Sequence, residues 1–167
     1  HPKFLIELFK LECPEIADGK VEIKFVSREP GKRSKIAVVS HDDAIDPIGT
    51  CVGQRGSRVN AITKELKGER IDIIEWNSDT KEFIASALSP AEVEEIELEE
   101  TTKQATVTVA SDQYSLAIGK MGQNVRLAAR LTGWKIDVKD SGNLSTQDNK
   151  SEEGEVKSEN NENERSI

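Results

Sequence analysis

Aromatic side chains are scarce: two Trp, one Tyr and four Phe make up 4% of the 167 residues. A surface that holds nucleobases mainly by stacking needs more of them. Cysteine is scarcer still. Cys13 and Cys51 lack metal-ligand spacing, which argues against a disulfide scaffold and suits a reducing cytosol. No apolar run approaches the roughly 20 residues of a membrane span, and no secretory signal opens the chain. The expected location is therefore cytoplasmic, with no membrane partner. A basic excess is also missing, since 23 Lys and Arg stand against 31 Asp and Glu, a net charge of −8. That balance counts against bulk electrostatic attraction to nucleic acid and leaves only local basic patches. No nucleophile–base pair or metal-ligand set converges in the sequence. The chain reads as a non-enzyme, with no catalytic residues, metal, cofactor or small-molecule substrate.

Much of the negative charge sits at one end. From Asp140 onward eight acidic side chains face three basic ones, almost without large apolar residues. Such a stretch cannot bury enough surface to offset its chain entropy, so 140–167 is expected to be a disordered acidic tail. The chain opens on His1 rather than Met, which suggests a piece of something longer.

What is present is a repetition. Cys51-Val52-Gly53-Gln54-Arg55-Gly56 recurs as Ala117-Ile118-Gly119-Lys120-Met121-Gly122. Asp46 and Asp112 precede the two copies as helix caps, with Pro47 at a favoured first helical position. Each copy is followed by a helical stretch, a Gly (Gly68, Gly133) and an Ile-Asp-Ile/Val strand. Upstream, Phe4-Leu5 and Leu8-Phe9 share the spacing of Phe83-Ile84 and Ala87-Leu88, and each pair set runs toward a Pro (Pro14, Pro90) that ends a helix. Strands are expected at Val21 to Val26 and Ile36 to Val39 around a Pro30-Gly31 turn, and at Val93 to Leu98 and Ala105 to Val109. Val59, Ile62 and Leu66 should form one buried helix face; Val125, Ala128, Ala129 and Leu131 should form its counterpart. Closing strands are expected at Ile71 to Trp76 and Lys135 to Val138.

Each half thus reads helix, strand, strand, helix, Gly-x-x-Gly, helix, strand, an α/β (α+β) pattern. The expected boundaries are 1–76 and 77–139. Each half has about 70 residues or fewer and would be marginally stable alone. Only Asn77-Ser78 separates them, too short for a flexible tether, so rigid packing around Trp76 is expected.

Glycine lets a phosphodiester approach the backbone, and the helix that follows aims unpaired N–H groups at the same spot. One Gly-x-x-Gly is more often an ordinary tight turn; two in matched frames favour a grip on single-stranded nucleic acid. The candidate binding residues are Gly53, Gln54, Arg55, Gly56 and Arg58 in the first copy. In the second they are Gly119, Lys120, Met121, Gly122, Gln123, Arg126 and Arg130. Lys24, Arg28, Lys32, Arg33 and Lys35 form a second basic patch in sequence, and the acid cluster Glu92 to Glu100 should lie away from the ligand. A helix-turn-helix DNA reader is the nearest competitor, but strands flank these helices. Neither copy completes the Gly-x-x-x-x-Gly-Lys-Ser/Thr phosphate loop.

Other residues have plainer readings. Ser40-His41-Asp42-Asp43 is a polar loop before a capped helix rather than a metal site. Cys51 is a small buried hydrophobe, Trp76 and Trp134 pack in the core or between halves, and Glu94 to Glu100 is the solvated face of an edge strand.

Gly-x-x-Gly in this frame resembles the K-homology (KH) module, whose loop clamps backbone nucleotides. Longer strings narrow the resemblance: Ser27-Arg28-Glu29-Pro30-Gly31, Ile71-Asp72-Ile73-Ile74-Glu75-Trp76 and Leu127-Ala128-Ala129-Arg130-Leu131-Thr132-Gly133-Trp134. From His1 to about Val138 the chain is similar to the tandem KH region of the NusA family of bacterial transcription factors. The resemblance implies two prokaryotic-type (type II) KH domains, each a three-stranded sheet packed against helices. It further implies a factor that binds nascent single-stranded RNA and acts in elongation, termination and antitermination. RNA polymerase and antitermination factors would be partners through the full-length protein. Met121 departs from the family's usual basic residue, so the second loop should hold phosphate less strongly. The alternative is a protein-interaction scaffold in which RNA contact is secondary.

Overall fold

The computed structural model describes residues 1–143. Of the tail expected over 140–167, Asp140 instead ends the last strand and Ser141–Asn143 form a short 3-10 turn; the rest lies outside the described residues. The first module runs α1 (Pro2–Glu12), α2 (Pro14–Ala17), β1 (Val21–Glu29), β2 (Arg33–Ser40), α3 (Pro47–Val52), α4 (Ser57–Glu65) and β3 (Arg70–Glu75). The second runs α5 (Thr80–Ala87), β4 (Glu95–Glu99), β5 (Gln104–Val109), α6 (Ser111–Ile118), α7 (Gln123–Thr132) and β6 (Lys135–Asp140). Each module holds one three-stranded sheet, ordered β1-β2-β3 or β4-β5-β6. In each, the first pair is antiparallel and the second parallel.

The first hairpin is longer than hydrophobic alternation alone suggested, because β1 continues through Arg28-Glu29 and β2 starts at Arg33. Its turn is held from below by Glu69, a fully buried carboxylate. Glu69 accepts from the Gly31 N–H at 2.8 Å, the Ser34 hydroxyl at 2.7 Å and the Arg28 guanidinium at 3.0 Å. Burial alone would raise its pKa, but the bonds from Arg28, Ser34 and Gly31 outweigh it and hold the carboxyl below its usual value.

Strand β2 is buried along nearly its whole length because both of its faces are covered. Ile36 and Val38 point into the first module's own core with Leu5, Phe9, Val21 and Ile62. Ala37 points the other way, as the period of two requires, and joins Ile74 in a core shared with Phe83, Ile84, Ala87 and Leu88 of the second module. Helix α7 lies against β1 and β2, and α5 against β3. Lys35, on the same face as Ala37, is fully buried and donates to Asp72 at 2.8 Å and to the Ser89 carbonyl at 2.9 Å, tying the modules together. Burial lowers the Lys35 pKa to about 8 despite the Asp72 carboxylate. Trp76 packs partly buried against the shared core, and Phe25 meets Phe83 with ring centroids 6.2 Å apart.

Several sequence expectations change. Pro14 ends α1 but starts the short α2, since proline suits a first helical position. Phe4 is exposed beneath the Arg28 guanidinium, so α1 buries only Leu5 and Phe9 fully. Asp46 caps α3 as expected, but Asp112 lies inside the first turn of α6, whose cap position is Ala110. The buried residues of α7 are Asn124, Leu127, Ala128 and Leu131; Val125 and Ala129 flank them. In α4 only Ile62 is fully buried, with Val59 and Leu66 at the margin. The acidic run does form the exposed side of edge strand β4, where Ile96 alone is buried.

One shared core predicts one cooperative transition for the described region. Differential scanning calorimetry should give a single endotherm with equal calorimetric and van't Hoff enthalpies. Two resolved melts would show that the modules unfold separately.

Candidate nucleic-acid interface

The two Gly-x-x-Gly loops share one backbone. Gly53 and Gly119 have φ/ψ of 77°/170° and 78°/171°. Arg55 and Met121 sit at φ 55°, and Gly56 and Gly122 at φ 75° and 74°. The first glycine occupies a region reserved for glycine. It also has no room for a side chain, because a Cβ on Gly53 would lie 2.9 Å from the Arg58 amide and one on Gly119 would lie 2.7 Å from the Asn124 amide. The second glycine is in ordinary left-handed geometry, and a Cβ on Gly122 would approach nothing closer than 3.8 Å.

The helices behind the loops differ from α3 and α5, though α2 and α6 also start without a side-chain cap. Asp46 caps α3 and Asp79 caps α5, each accepting from backbone N–H groups. Helices α4 and α7 begin at Gly56 and Gly122 with no side-chain cap. The Ser57 and Gln123 N–H groups bond the Gln54 and Lys120 carbonyls within the loops, and no side chain caps the next N–H groups, which lie at the positive end of the helix dipole. Such an end suits an anion. Met121 at the second tip is 86% exposed, and Gln54, Arg55 and Lys120 are exposed as well.

Four other candidate residues have structural duties. Arg58 donates to Glu15 and to the Thr50 carbonyl, both at 2.9 Å, bracing α4 against α2 and α3. The hydrogen bond to Glu15 raises its already high pKa. Arg126 donates through Nε to Glu29 at 2.6 Å and through Nη1 to the Met121 carbonyl at 3.0 Å. Gln123 donates to the other Glu29 oxygen at 3.0 Å, and Arg130 lies 3.9 Å from the carboxylate. Bonds from Arg126 and Gln123 lower the Glu29 pKa to about 2.

Glu29 is the residue that sequence reasoning missed. It closes β1 in the first module yet meets the loop helix of the second, and no local signal marks such a contact. The basic patch from Lys24 to Lys35 also disperses. Arg33 and Lys35 are buried on Asp72, Arg28 is spent on Glu69, and Lys24 lies 4.2 Å above the Trp76 ring. Lys32 alone of the five projects into the open with no side-chain partner among the described residues. Near the first loop Cys13 and Cys51 are both buried, and hydrogen bonding to Cys13, with burial, pushes the Cys51 thiol up. In the polar loop, His41 meets Glu22 at 2.7 Å and Ser40 and Asp42 bond each other.

A family model of the NusA-like first KH domain matches residues 1–76, and that of the second matches residues 80–146. The chain belongs to the NusA-like tandem KH family. It is 58% identical over 139 residues to the transcription termination/antitermination protein NusA of Bacillus subtilis, covering 83% of this chain and 38% of that protein. The NusA protein of Thermus thermophilus is 55% identical over 141 residues, 84% of this chain and 36% of its own. The chain thus spans well under half the length of these relatives. The crystal structure of APE1850 shares the fold with a TM-score of 0.58 at 23% identity, over 83% of this chain and 97% of that one. Among the described residues no helix is long and apolar enough to cross a membrane.

The two glycines of a loop should respond differently. Gly119→Ala should lower the melting temperature clearly and distort the second loop. Gly122→Ala should cost only about 1–2 kcal/mol, the left-handed penalty for an L residue. Equal losses in thermal melts would contradict the geometry. Glu29 carries a pH signature. Its contribution is present above the ordinary glutamate pKa of 4.5 and is lost as pH falls through about 2. The difference in melting temperature between wild type and Glu29→Gln should therefore shrink below pH 4.5; a constant difference would count against the ion pair.

Proposed function

We propose that the chain grips single-stranded RNA across its two Gly-x-x-Gly loops as the KH part of a transcription termination/antitermination factor. The observation that carries this reading is the pair of uncapped helix starts, α4 and α7, behind loops of matching backbone. Each offers N–H donors and a positive dipole end to phosphate, and the first glycine clears the approach. Gly53, Gln54, Arg55 and Gly56 form one contact, and Gly119, Lys120, Met121 and Gly122 the other. Arg58, Arg126 and Arg130 support the loops as well as adding positive charge, and neutral Gln123 supports the second loop through Glu29. The shared core holds the two contacts at a fixed separation, which suits one extended strand.

Kinship with NusA proteins supports the larger role: a nascent transcript as ligand, and RNA polymerase and antitermination factors as partners of the full-length, cytoplasmic protein. Nothing in the loops arranges groups for bond-making or bond-breaking.

The test is fluorescence anisotropy with unstructured single-stranded RNA, comparing wild type with Gln54→Asp/Arg55→Asp and with Lys120→Asp/Met121→Asp. Asp tolerates the left-handed tip, so circular dichroism should show both variants folded. Either double change should weaken binding by about tenfold or more, roughly 1.4 kcal/mol. Wild-type binding should fall steeply with salt. Unchanged affinity in both folded variants would favour the protein-scaffold reading.

A further inference from the structure

Between the modules lies a recess of about 400 Å³ lined by Glu29 and Lys32 of the first and Lys120, Met121, Gln123 and Arg126 of the second. A neighbouring recess shares Glu29, Lys32 and Arg126 and adds Arg28, Pro30 and Arg130. Five cationic side chains line the two recesses with a single carboxylate, and one of them, Arg28, is spent on Glu69. The carboxylate is already engaged, because both Glu29 oxygens accept from the second module. Arg126 is engaged as well, on Glu29 and on the Met121 carbonyl. Lys32 and Lys120 have no side-chain partner among the described residues, and they line the recess from opposite modules.

Lys32 is also placed firmly for a surface lysine. It follows Gly31 in the turn whose N–H is held by buried Glu69, and its own N–H donates to the Glu29 carbonyl at 3.0 Å. The turn that carries the ammonium is thus fixed at both ends, beside the loop helix that Glu29 engages.

We propose that Lys32 contacts a backbone phosphate of the RNA held at the second loop, so that the second module's binding site is completed by a residue of the first. Glu29 acts there as a positioning residue: it neutralises and orients Arg126, which braces the loop through the Met121 carbonyl. The ammoniums of Lys32 and Lys120 remain for the ligand. This inference rests on the RNA-binding reading above. A phosphodiester is the chemistry that fits, because the recess offers separate point charges and no aromatic platform on which a base could stack.

The experiment is a double-mutant cycle on the full chain, with a mixed-sequence pool of unstructured single-stranded RNA as the probe. Lys32→Ala should weaken binding roughly fivefold and lower the salt slope by about 0.7, the value for one phosphate on a single strand. Lys32→Arg should retain most of the affinity. With the first loop disabled by Gln54→Asp/Arg55→Asp, Lys32→Ala should still weaken what remains. With the second disabled by Lys120→Asp/Met121→Asp, it should have little further effect. Equal losses in both backgrounds, or no loss in wild type, would overturn the assignment of Lys32 while leaving RNA binding intact. Failure of wild type itself to bind the pool would overturn the underlying reading, and this inference with it.

Discussion

Burial of β2 on both faces is the constraint on which the arrangement depends. A small module with one covered sheet face would expose Ala37, Ile74 and the stem of Lys35 to water. Here the second module covers them, and the alternation along β2 sends Ile36 and Val38 to one core and Ala37 to the other. The side chain of Ala37 is small enough for helices to come close. Lys35 then finds Asp72 and the Ser89 carbonyl within reach, and its burial is tolerable because its donors are used. The apolar contact and the buried ion pair act at one place, on the back of the first sheet.

From that contact follow the positions of the loops. Helix α7 cannot shift on β1 and β2 without breaking the Glu29 bonds to Gln123 and Arg126, and Arg126 in turn holds the Met121 carbonyl. Domain packing and loop conformation are therefore linked in the second module. In the first module the comparable brace is internal: Arg58 reaches Glu15 and the end of α3. The repeated sequence has solved the same backbone problem in two ways, with an arginine in one copy and buried Asn124 in the other. Asn124 donates to the carbonyls of Ala117 and Leu88, both at 3.0 Å.

The sequence shows clearly what depends on local rules. Glycine pairs, an Asp-Pro helix start at Asp46-Pro47 and the Pro30-Gly31 turn each have a mechanism within a few residues, and the matched frame of the two halves exposed the fold. It misleads where burial is decided by distant partners. Arg33 and Lys35 look like surface cations until Asp72, far along the chain, is brought beside them. Arg126 looks like a free base for the same reason. Asp112 resembled Asp46 in spacing but lacks the cap, because α6 starts two residues earlier in the matched frame, at Ser111, whose hydroxyl bonds Asp140. Leu127 fell outside the expected apolar face, which took in Val125 and Ala129 where the buried face runs through Asn124, Leu127, Ala128 and Leu131. Helical pattern alone cannot distinguish neighbouring registers in a helix with Ala at two successive positions.

Trp76 has a consequence of another kind. Its indole stands where the first module passes into the second, partly buried against the shared core, with the Lys24 ammonium 4.2 Å from the ring. Separation of the modules would hydrate one side of the ring and release the cation from its face. Both changes alter the polarity that indole emission senses, so the protein carries an intrinsic optical probe at its own seam. The second indole, Trp134, follows α7 and packs against the same shared core, but only Trp76 carries the Lys24 ammonium over its ring.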